Sequence, residues 1–238
     1  MRRSSMGVAV CVAVLAVWVS TGVEARREQQ RMPDRFVYAD FERVENGRVV
    51  SNNGGLVFLH AYAENQTMLP GFKGIEGLDP PGPELVRVKP DDPNRLAKFD
   101  FDIKPPNQYA GVTLEIVGHP QAPDGTYVAD DVSGYKNLSV EVYATGIETM
   151  RLEVKSRGYG MDRPLDAGWP QVSFKPKKGL NTYRIPLRTF GQPSWVTDTR
   201  YDPKDLLKKL TSVAIVAYCD DCRHMNGMII VDNVVFEK

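Results

Sequence analysis

The sequence predicts an all-β protein, an antiparallel β-sandwich (jelly roll) with one short helix near the C-terminus. Three observations favour this fold class: short runs in which aliphatic and polar residues alternate, turn residues between those runs, and a single segment with helix signals. Alternation with a period of two over about five to seven residues is typical of a half-buried strand. Many such strands separated by tight turns favour a sandwich or a jelly roll.

The composition is that of an ordinary globular protein with no excess of either charge. The chain has 238 residues, 42% of them hydrophobic, and its 30 basic side chains are balanced by 30 acidic ones. A zero net charge argues against nucleic acid and against an anionic membrane surface as the main partner, because both require a basic surplus. A charged share of 25% argues against wholesale disorder.

The first 25 residues have the pattern of a secretory signal peptide. Arg2 and Arg3 precede an uncharged run at 7–19, and small residues lead to Ala25. The run is shorter than the roughly 20 residues of a membrane-spanning helix. We therefore expect cleavage after Ala25 and a secreted or periplasmic protein without a stable membrane span; retention as an anchor is the alternative. Residues 26–35 are expected to form a polar arm.

Residues 36–238 are predicted to form a single domain of short strands. The strand-like segments lie at 36–38, 54–59, 112–116, 138–142, 151–155, 183–187, 213–218 and 228–236. Turn signals separate them at 123–125, 133–134, 145–146 and 178–179. Ten Gly and Pro residues at about 70–93 predict a long exposed loop without regular structure, because Pro removes backbone donors and Gly weakens strands.

The helix signal lies near the C-terminus. Asp202 suits the N-cap and Pro203 the first helical position, and Leu206, Leu207 and Leu210 follow. These residues predict a short helix at about 203–210, packed beside the sandwich.

Export determines how the cysteines are interpreted. Cys11 lies in the leader, which leaves Cys219 and Cys222 three positions apart. In an oxidising compartment this pair favours a small disulfide. A metal site and a redox pair are the alternatives. The acidic Asp220 and Asp221 between the cysteines disfavour the redox alternative, because negative charge raises thiol pKa values.

Several segments together resemble a known family. They read YADFE at 38–42, DVSGYKNLSV at 131–140, NTYRIPL at 181–187 and IVDNVVF at 230–236. Their order is similar to that of galactose-binding-like jelly rolls, in particular family-11-type carbohydrate-binding modules and complex I intermediate-associated proteins. The resemblance covers roughly 36–237. The Gly/Pro-rich segment and the cysteine pair depart from the family pattern.

The resemblance implies a structural calcium ion. The family often holds it with acidic residues near the first strand and in the last strand, and the matching positions here are Asp40 or Glu42, and Asp232. Calcium takes about six to eight oxygen ligands, which carboxylates and carbonyls supply. The alternative is that Asp232 and Asn233 cap a turn and that Glu42 pairs with a base.

The polar sides of the strands are candidates for ligand recognition. Sugar binding needs an aromatic ring against the apolar side of the pyranose and a few polar groups for the hydroxyls. The polar strand residues are Thr113, Glu115, Ser139, Glu141, Tyr143, Arg151, Glu153, Lys155, Arg157 and Arg184, and ring residues at Tyr159, Trp169, Trp195 and Tyr201 lie in loops. Within these sets we assign Tyr143, Glu141, Arg151, Glu153, Arg184, Tyr159 and Trp169 to glycan binding. The alternative is a solvated surface with cross-strand ion pairs.

Catalysis has little support in the sequence. The chain has three histidines, at 60, 119 and 224, no Gly-x-Ser-x-Gly elbow and no zinc-helix or phosphate-loop motif. We therefore expect an exported, non-catalytic protein that binds a polysaccharide or glycan. The alternative is an exported scaffold or assembly protein that binds another exported protein through the sandwich and the Gly/Pro-rich loop. A glycan-active enzyme is the weakest of the three hypotheses.

Overall fold

The structure is a computed structural model that describes residues 32–75, 77–156, 169–194, 196 and 203–238. Contacts divide the chain into Met1–Met32 and Pro33–Lys238, and the description below concerns the second unit. The predicted signal peptide lies outside the described residues. Among the described helices, none has the length and apolar character needed to cross a bilayer.

The domain is the predicted all-β antiparallel sandwich. Its strands are β1 (Arg35–Ala39), β2 (Val44–Glu45), β3 (Arg48–Val49), β4 (Val57–Ala63), β5 (Gly71–Lys73), β6 (Glu84–Val86), β7 (Leu96–Ile103), β8 (Ala110–Val117), β9 (Asn137–Thr145), β10 (Met150–Lys155), β11 (Gln171–Phe174), β12 (Asn181–Pro186), β13 (Ser212–Cys219) and β14 (Met225–Glu237). A 3-10 helix, Leu187–Thr189, and α1, Pro203–Leu207, complete the described elements.

Two sheets carry the architecture. A seven-stranded sheet has the order β12-β9-β14-β7-β5, with β1 paired to β14 and β6 paired to β7. A five-stranded sheet has the order β11-β10-β13-β8-β4, and β2 and β3 form a separate hairpin. Chain neighbours β9 and β10 belong to different sheets, and so do β7 and β8, so the chain crosses repeatedly between the layers of the sandwich.

The core follows from the period-two pattern of the strands. On β8 the buried side holds Val112, Leu114 and Ile116, and on β9 it holds Leu138 and Val140, all of them fully buried. Each such side chain contributes about 1.5–3 kcal/mol when it leaves water. The aliphatic residues therefore occupy the inner layer that the alternation predicts, and the polar residues between them point away from it.

The Gly/Pro-rich segment contains regular structure, which corrects the prediction for 70–93. β5 pairs with β7 opposite Phe101, and β6 pairs with the beginning of β7 at Lys98. Both strands have three residues and lie along one edge of the seven-stranded sheet, where Pro is tolerated between short paired stretches. The backbone N–H of Leu59 also donates to the carbonyl of Pro81, which holds the segment to the sandwich.

The helix is shorter than predicted, and the disulfide is as predicted. α1 ends at Leu207 and not at Leu210, because the backbone of Leu210 exchanges two hydrogen bonds with Asp130. The predicted N-cap residue lies outside the described residues. Cys219 at the end of β13 is bonded to Cys222, with their Cα atoms 5.0 Å apart.

Candidate functional site

The outer face of the five-stranded sheet, which we call the charged face, carries an ordered array of polar side chains. The register places Arg151 of β10 beside Val216 of β13 and Glu153 beside Ala214. Ala214 in turn lies beside Glu115 of β8. Arg151, Glu153 and Glu115 therefore share this face, and small or aliphatic residues of the central strand β13 lie between them.

The charged groups form a continuous chain of contacts across the sheet. Arg151 Nε lies 2.8 Å from Glu153 Oε1, although the N–H is not aligned for a hydrogen bond. Lys155 Nζ lies 3.4 Å from Glu153 Oε2 and 2.6 Å from Glu115 Oε2. The hydroxyl of Ser212 donates to the other carboxylate oxygen of Glu115 at 2.5 Å. The face therefore holds two cations and two carboxylates that alternate along one chain of contacts.

Glu115 is the most deeply buried member of this chain, and its side chain is 0% exposed. Burial by itself disfavours the carboxylate. The contacts with His60, Lys155 and Ser212 outweigh that cost and hold the pKa of Glu115 well below its usual range. Glu115 is therefore a fixed negative charge at neutral pH and not a proton donor.

Aromatic rings flank the charged chain. Arg151 Nη2 donates to the hydroxyl of Tyr62 at 2.6 Å, and the guanidinium lies 4.7 Å from the ring centroid of Tyr218. The hydroxyls of Tyr218 and Ser173 are 3.0 Å apart. Burial raises the pKa of Tyr62 to about 12, although the nearby Arg151 opposes this shift. The guanidinium and two half-buried rings thus form one unit.

Sequence reasoning missed four residues of this face: Phe58, His60, Tyr62 and Tyr218. The first three alternate with aliphatic residues along β4, and the register pairs Phe58 with Glu115 and Tyr62 with Gly111. His60 Nε2 lies 3.4 Å from Glu115 Oε2. The sequence contains a pattern that could have identified them, because rings recur at every second position, 58, 60 and 62, in and directly after the strand predicted at 54–59.

The structure divides the predicted glycan-binding residues between two sheets. Arg151 and Glu153 lie on the charged face, whereas Glu141 and Tyr143 of β9 and Arg184 of β12 lie on the outer face of the seven-stranded sheet. The predicted residues therefore do not form one surface. The physical reason is that period-two alternation distinguishes the two faces of a strand and does not determine the sheet to which the strand belongs.

The predicted aromatic loop residues are only partly described. Trp169 is half-buried and precedes Pro170, whose carbonyl accepts a hydrogen bond from the backbone N–H of Val154. Trp169 thus lies beside the end of β10. Tyr159, Trp195 and Tyr201 lie outside the described residues.

The predicted calcium ligands near the first strand have internal partners. Asp40 accepts hydrogen bonds from the backbone of Glu42 at 3.1 Å and from the Asn52 amide at 3.0 Å. Glu42 accepts from the backbone N–H of Arg95 and lies 3.1 Å from its Nε. Among the described residues, no group of three or more His, Cys, Asp or Glu side chains is arranged to hold a metal ion.

Asp232 has a different environment, because it is fully buried at a bulge in β14. Its carboxylate accepts from the side-chain amides of Asn94 at 2.8 Å and Asn233 at 3.0 Å. Burial raises the pKa of Asp232 to about 6, and the carboxylates of Glu141 and Glu42 add to that shift. The amide oxygens of both Asn side chains would face Asp232 if the amides turned over, so the donor set has partial calcium character.

Comparison with known structures supports the fold. The family 11 carbohydrate-binding module of cellulosomal cellulase Lic26A-Cel5E of Clostridium thermocellum is 15% identical, with a TM-score of 0.51, over 85% of this chain and 94% of the module. A family 11 module from Clostridium thermocellum in complex with a β-1,3-1,4-mixed-linked tetrasaccharide has 16% identity and a TM-score of 0.49, over 85% and 95%. The family 30 module of cellulase Cel9D-Cel44B of Clostridium thermocellum has 9% identity and a TM-score of 0.49, over 76% and 92%.

The likeness to the first of these modules shows a common fold, and it confirms the predicted resemblance to family 11 modules at that level. No protein-family model matches the chain. No curated protein matches it either.

Proposed function

We propose that this chain is an exported, non-catalytic carbohydrate-binding protein that holds a neutral glycan on the charged face. The observation that carries the proposal is the unit formed by Arg151, Tyr62 and Tyr218, next to the carboxylates of Glu153 and Glu115. It brings together the ring surface and the polar groups that sugar recognition requires. The fold shared with a carbohydrate-binding module supports the same proposal.

The charge balance of the face favours a neutral ligand. Arg151 and Lys155 are matched in charge by Glu153 and Glu115, and the contacts run from Arg151 to Glu153, from Glu153 to Lys155 and from Lys155 to Glu115. Because the charges of these four side chains balance, they do not favour an ionic ligand. These four side chains are each at most 10% exposed, so the half-buried rings of Tyr62 and Tyr218 form the more accessible part of the charged face. The charged groups would add hydrogen bonds to sugar hydroxyls at the edge of those rings. Because the side chains already hold one another in place, binding costs little additional side-chain ordering.

The arrangement does not suit glycoside hydrolysis. Such enzymes need a carboxylic acid whose pKa is raised so that it donates a proton to the leaving group. Glu115 has the opposite shift, and Lys155 contacts both carboxylates. The geometry of the charged face thus favours recognition over reaction.

The scaffold hypothesis receives less support. It assigned the partner contact to the sandwich and to an exposed Gly/Pro-rich loop at about 70–93, whereas β5 and β6 pair with β7 in this segment. Arg48 also donates to the carbonyls of Asp79 and Pro80. The segment is therefore held to the sandwich and is not an irregular loop throughout.

A matched set of tyrosine variants tests the proposal. Tyr62→Ala and Tyr218→Ala are each expected to weaken binding of a neutral polysaccharide by about tenfold or more, because each removes a ring contact worth roughly 1–2 kcal/mol. Tyr143→Ala, on the other sheet, is expected to leave binding within about twofold. Retention on a panel of insoluble polysaccharides, followed by affinity electrophoresis, gives the measurement.

The two sheets give opposite outcomes in this test. Loss of retention in Tyr143→Ala with full retention in Tyr62→Ala would move the site to the seven-stranded sheet. The absence of retention on every neutral glycan in the panel by the folded wild-type protein would refute the proposal itself.

We further propose a structural calcium ion at Asp232. Asp232 and Glu141 would supply carboxylate oxygens, and Asn94 and Asn233 would supply amide oxygens after rotation. The ion would screen a buried carboxylate that has other carboxylates nearby. We leave Asp40 out of this set, because its carboxylate belongs to a separate cluster with the backbone of Glu42 and the Asn52 amide.

Calcium is expected to raise the melting temperature of the wild-type protein by about 5–10 °C at a concentration one hundred times the dissociation constant. Asp232→Asn is expected to abolish this response, whereas Asp40→Asn is expected to retain it. Calorimetry in calcium and in EDTA gives the measurement, and elemental analysis of the purified protein gives the metal content. Identical melting in both buffers, without bound metal, would exclude the site.

A further inference from the structure

A groove separate from both proposed sites lies where the end of β12, the segment before β9 and α1 meet. Its volume is about 860 Å³, within the size range of small-ligand sites. Its lining comes from 133–137, 186–190 and 204–208. Neither the charged face nor the surroundings of Asp232 contribute to it.

The floor of the groove is apolar and already packed. Tyr135, Leu187, Phe190 and Leu207 line it, and each is at most 9% exposed. A ligand that enters the groove therefore buries little new apolar surface on the protein side, and the hydrophobic contribution to binding is small. Affinity has to come from the rim.

The rim is strongly basic. Lys136, Arg188, Lys204 and Lys208 are exposed, and Asp205 is the only acidic residue among those that line the groove, which gives four positive charges against one negative charge. Lys208 pairs with Asp205 at 2.9 Å. This concentration of positive charge is local, because the whole chain has a formal net charge of zero.

The backbone segments that carry two of these cations are hydrogen-bonded to each other. The carbonyl of Lys136 accepts from the N–H of Leu187, which precedes Arg188, and the N–H of Lys136 donates to Glu237. Within the described residues, neither the Lys136 ammonium nor the Arg188 guanidinium has an ion-pair partner. Main-chain hydrogen bonds therefore fix the backbone from which both cationic side chains extend, beside the apolar floor.

We infer that this groove binds an acidic oligosaccharide, one that carries carboxylate groups on its sugar rings. Arg188 presents parallel N–H donors that match a carboxylate, and Lys136 adds a second charge. A uronate chain carries charges at regular spacing, so its carboxylates face several rim cations at once. Its hydroxyls occupy the rest of the groove.

The packed floor favours this ligand over an acidic peptide. A peptide gains much of its affinity from apolar side chains in pockets, and it loses backbone entropy when it becomes ordered. The pyranose rings of a uronate chain are already rigid, and each carries one carboxylate. The groove is thus a second site, and its binding does not depend on the neutral-glycan proposal for the charged face.

The test compares three probes by isothermal titration: an oligogalacturonate, its methyl-esterified neutral counterpart and poly-L-glutamate of similar charge. We expect the oligogalacturonate to bind, the neutral counterpart not to bind, and poly-L-glutamate to bind at least about tenfold more weakly. The oligogalacturonate affinity is expected to fall steeply between about 50 and 500 mM salt, because screening shortens the range of the rim charges.

Variants separate the groove from general charge effects. Lys136→Glu/Arg188→Glu is expected to reduce oligogalacturonate affinity by at least about tenfold, since charge-assisted contacts are replaced by repulsion. The control Lys89→Glu/Lys178→Glu makes the same change in net charge at exposed positions outside the groove. Arg188→Gln provides a milder variant if the double charge reversal alters melting.

Each outcome decides the inference. Loss of binding in the groove variant with retention in the control supports it. No binding of oligogalacturonate, equal binding of poly-L-glutamate, or equal losses in both double variants would overturn it. Tyr62→Ala, which tests the charged face, is expected to leave oligogalacturonate binding unchanged, so failure of one proposal is distinguishable from failure of the other.

Discussion

Lys155→Met is expected to destabilise the domain by about 3–5 kcal/mol at pH 7, because it removes a cation that lies against a buried carboxylate. The Lys155 side chain is 8% exposed, and its ammonium lies 2.6 Å from Glu115, which is 0% exposed. The methionine side chain fills much of the same space, so the decrease in the free energy of unfolding comes more from lost charge and hydrogen bonding than from lost packing.

The pH dependence of this variant has a defined sign. In the wild-type protein the folded state depresses the pKa of Glu115. The stability contributed by its carboxylate is therefore fully present above the unfolded pKa of about 4.3, and it is lost as the pH falls through the folded pKa. In Lys155→Met the carboxylate protonates more readily, so the deficit relative to wild type is expected to shrink between pH 7 and pH 4.

Urea denaturation of both proteins at the two pH values measures the effect. Lys98→Met is a suitable control, because Lys98 lies 3.2 Å from Glu84 and from Asp100 on the other sheet but is more exposed. That variant is expected to cost no more than about 1 kcal/mol. Similar losses for both lysines, or a Lys155→Met deficit that grows on acidification, would contradict the assignment of Glu115 as a buried ion.

The fold was predictable from the sequence because the alternation is strong. Val112, Leu114 and Ile116 have a period of two, and the structure buries all three. The same pattern could not assign strands to sheets. Tyr143 and Arg151 lie on consecutive strands, and both stand at polar positions that alternate with aliphatic ones in the sequence, yet β9 and β10 belong to opposite layers. Strand partners are chosen by long-range contacts, which local periodicity does not encode.

The candidate site was predictable only in part for the same reason. Arg151 and Glu153 were identifiable as polar residues in a β-strand, but Tyr62 and Tyr218 come from strands far away in the chain. Their role depends on the register that pairs each of them with Gly111. Edge strands such as β5 were missed because Gly and Pro signal turns, and short strands on a sheet edge tolerate both residues.

Gly111→Ala is expected to weaken neutral-glycan binding about as much as Tyr62→Ala does, by about tenfold or more, while changing the free energy of unfolding by only about 1–2 kcal/mol. A Cβ at position 111 would lie 2.5 Å from the phenolic end of Tyr62, so the ring has to move. Because that ring is the far end of a flexible side chain, the strand itself is able to stay in place. The glycine thus allows the ring of Tyr62 to lie against the sheet, in contact with Arg151.

Spectrophotometric titration reports the displacement directly. In the wild-type protein burial raises the pKa of Tyr62 to about 12, and a displaced, hydrated ring is expected to titrate closer to the ordinary value near 10. Tyr62→Phe assigns the signal. Gly71→Ala is the control, because a Cβ there meets nothing closer than 3.6 Å. If Gly111→Ala shifts the Tyr62 titration and leaves glycan binding intact, the charged face is not the binding surface, since a ring that the ligand contacts cannot move without consequence.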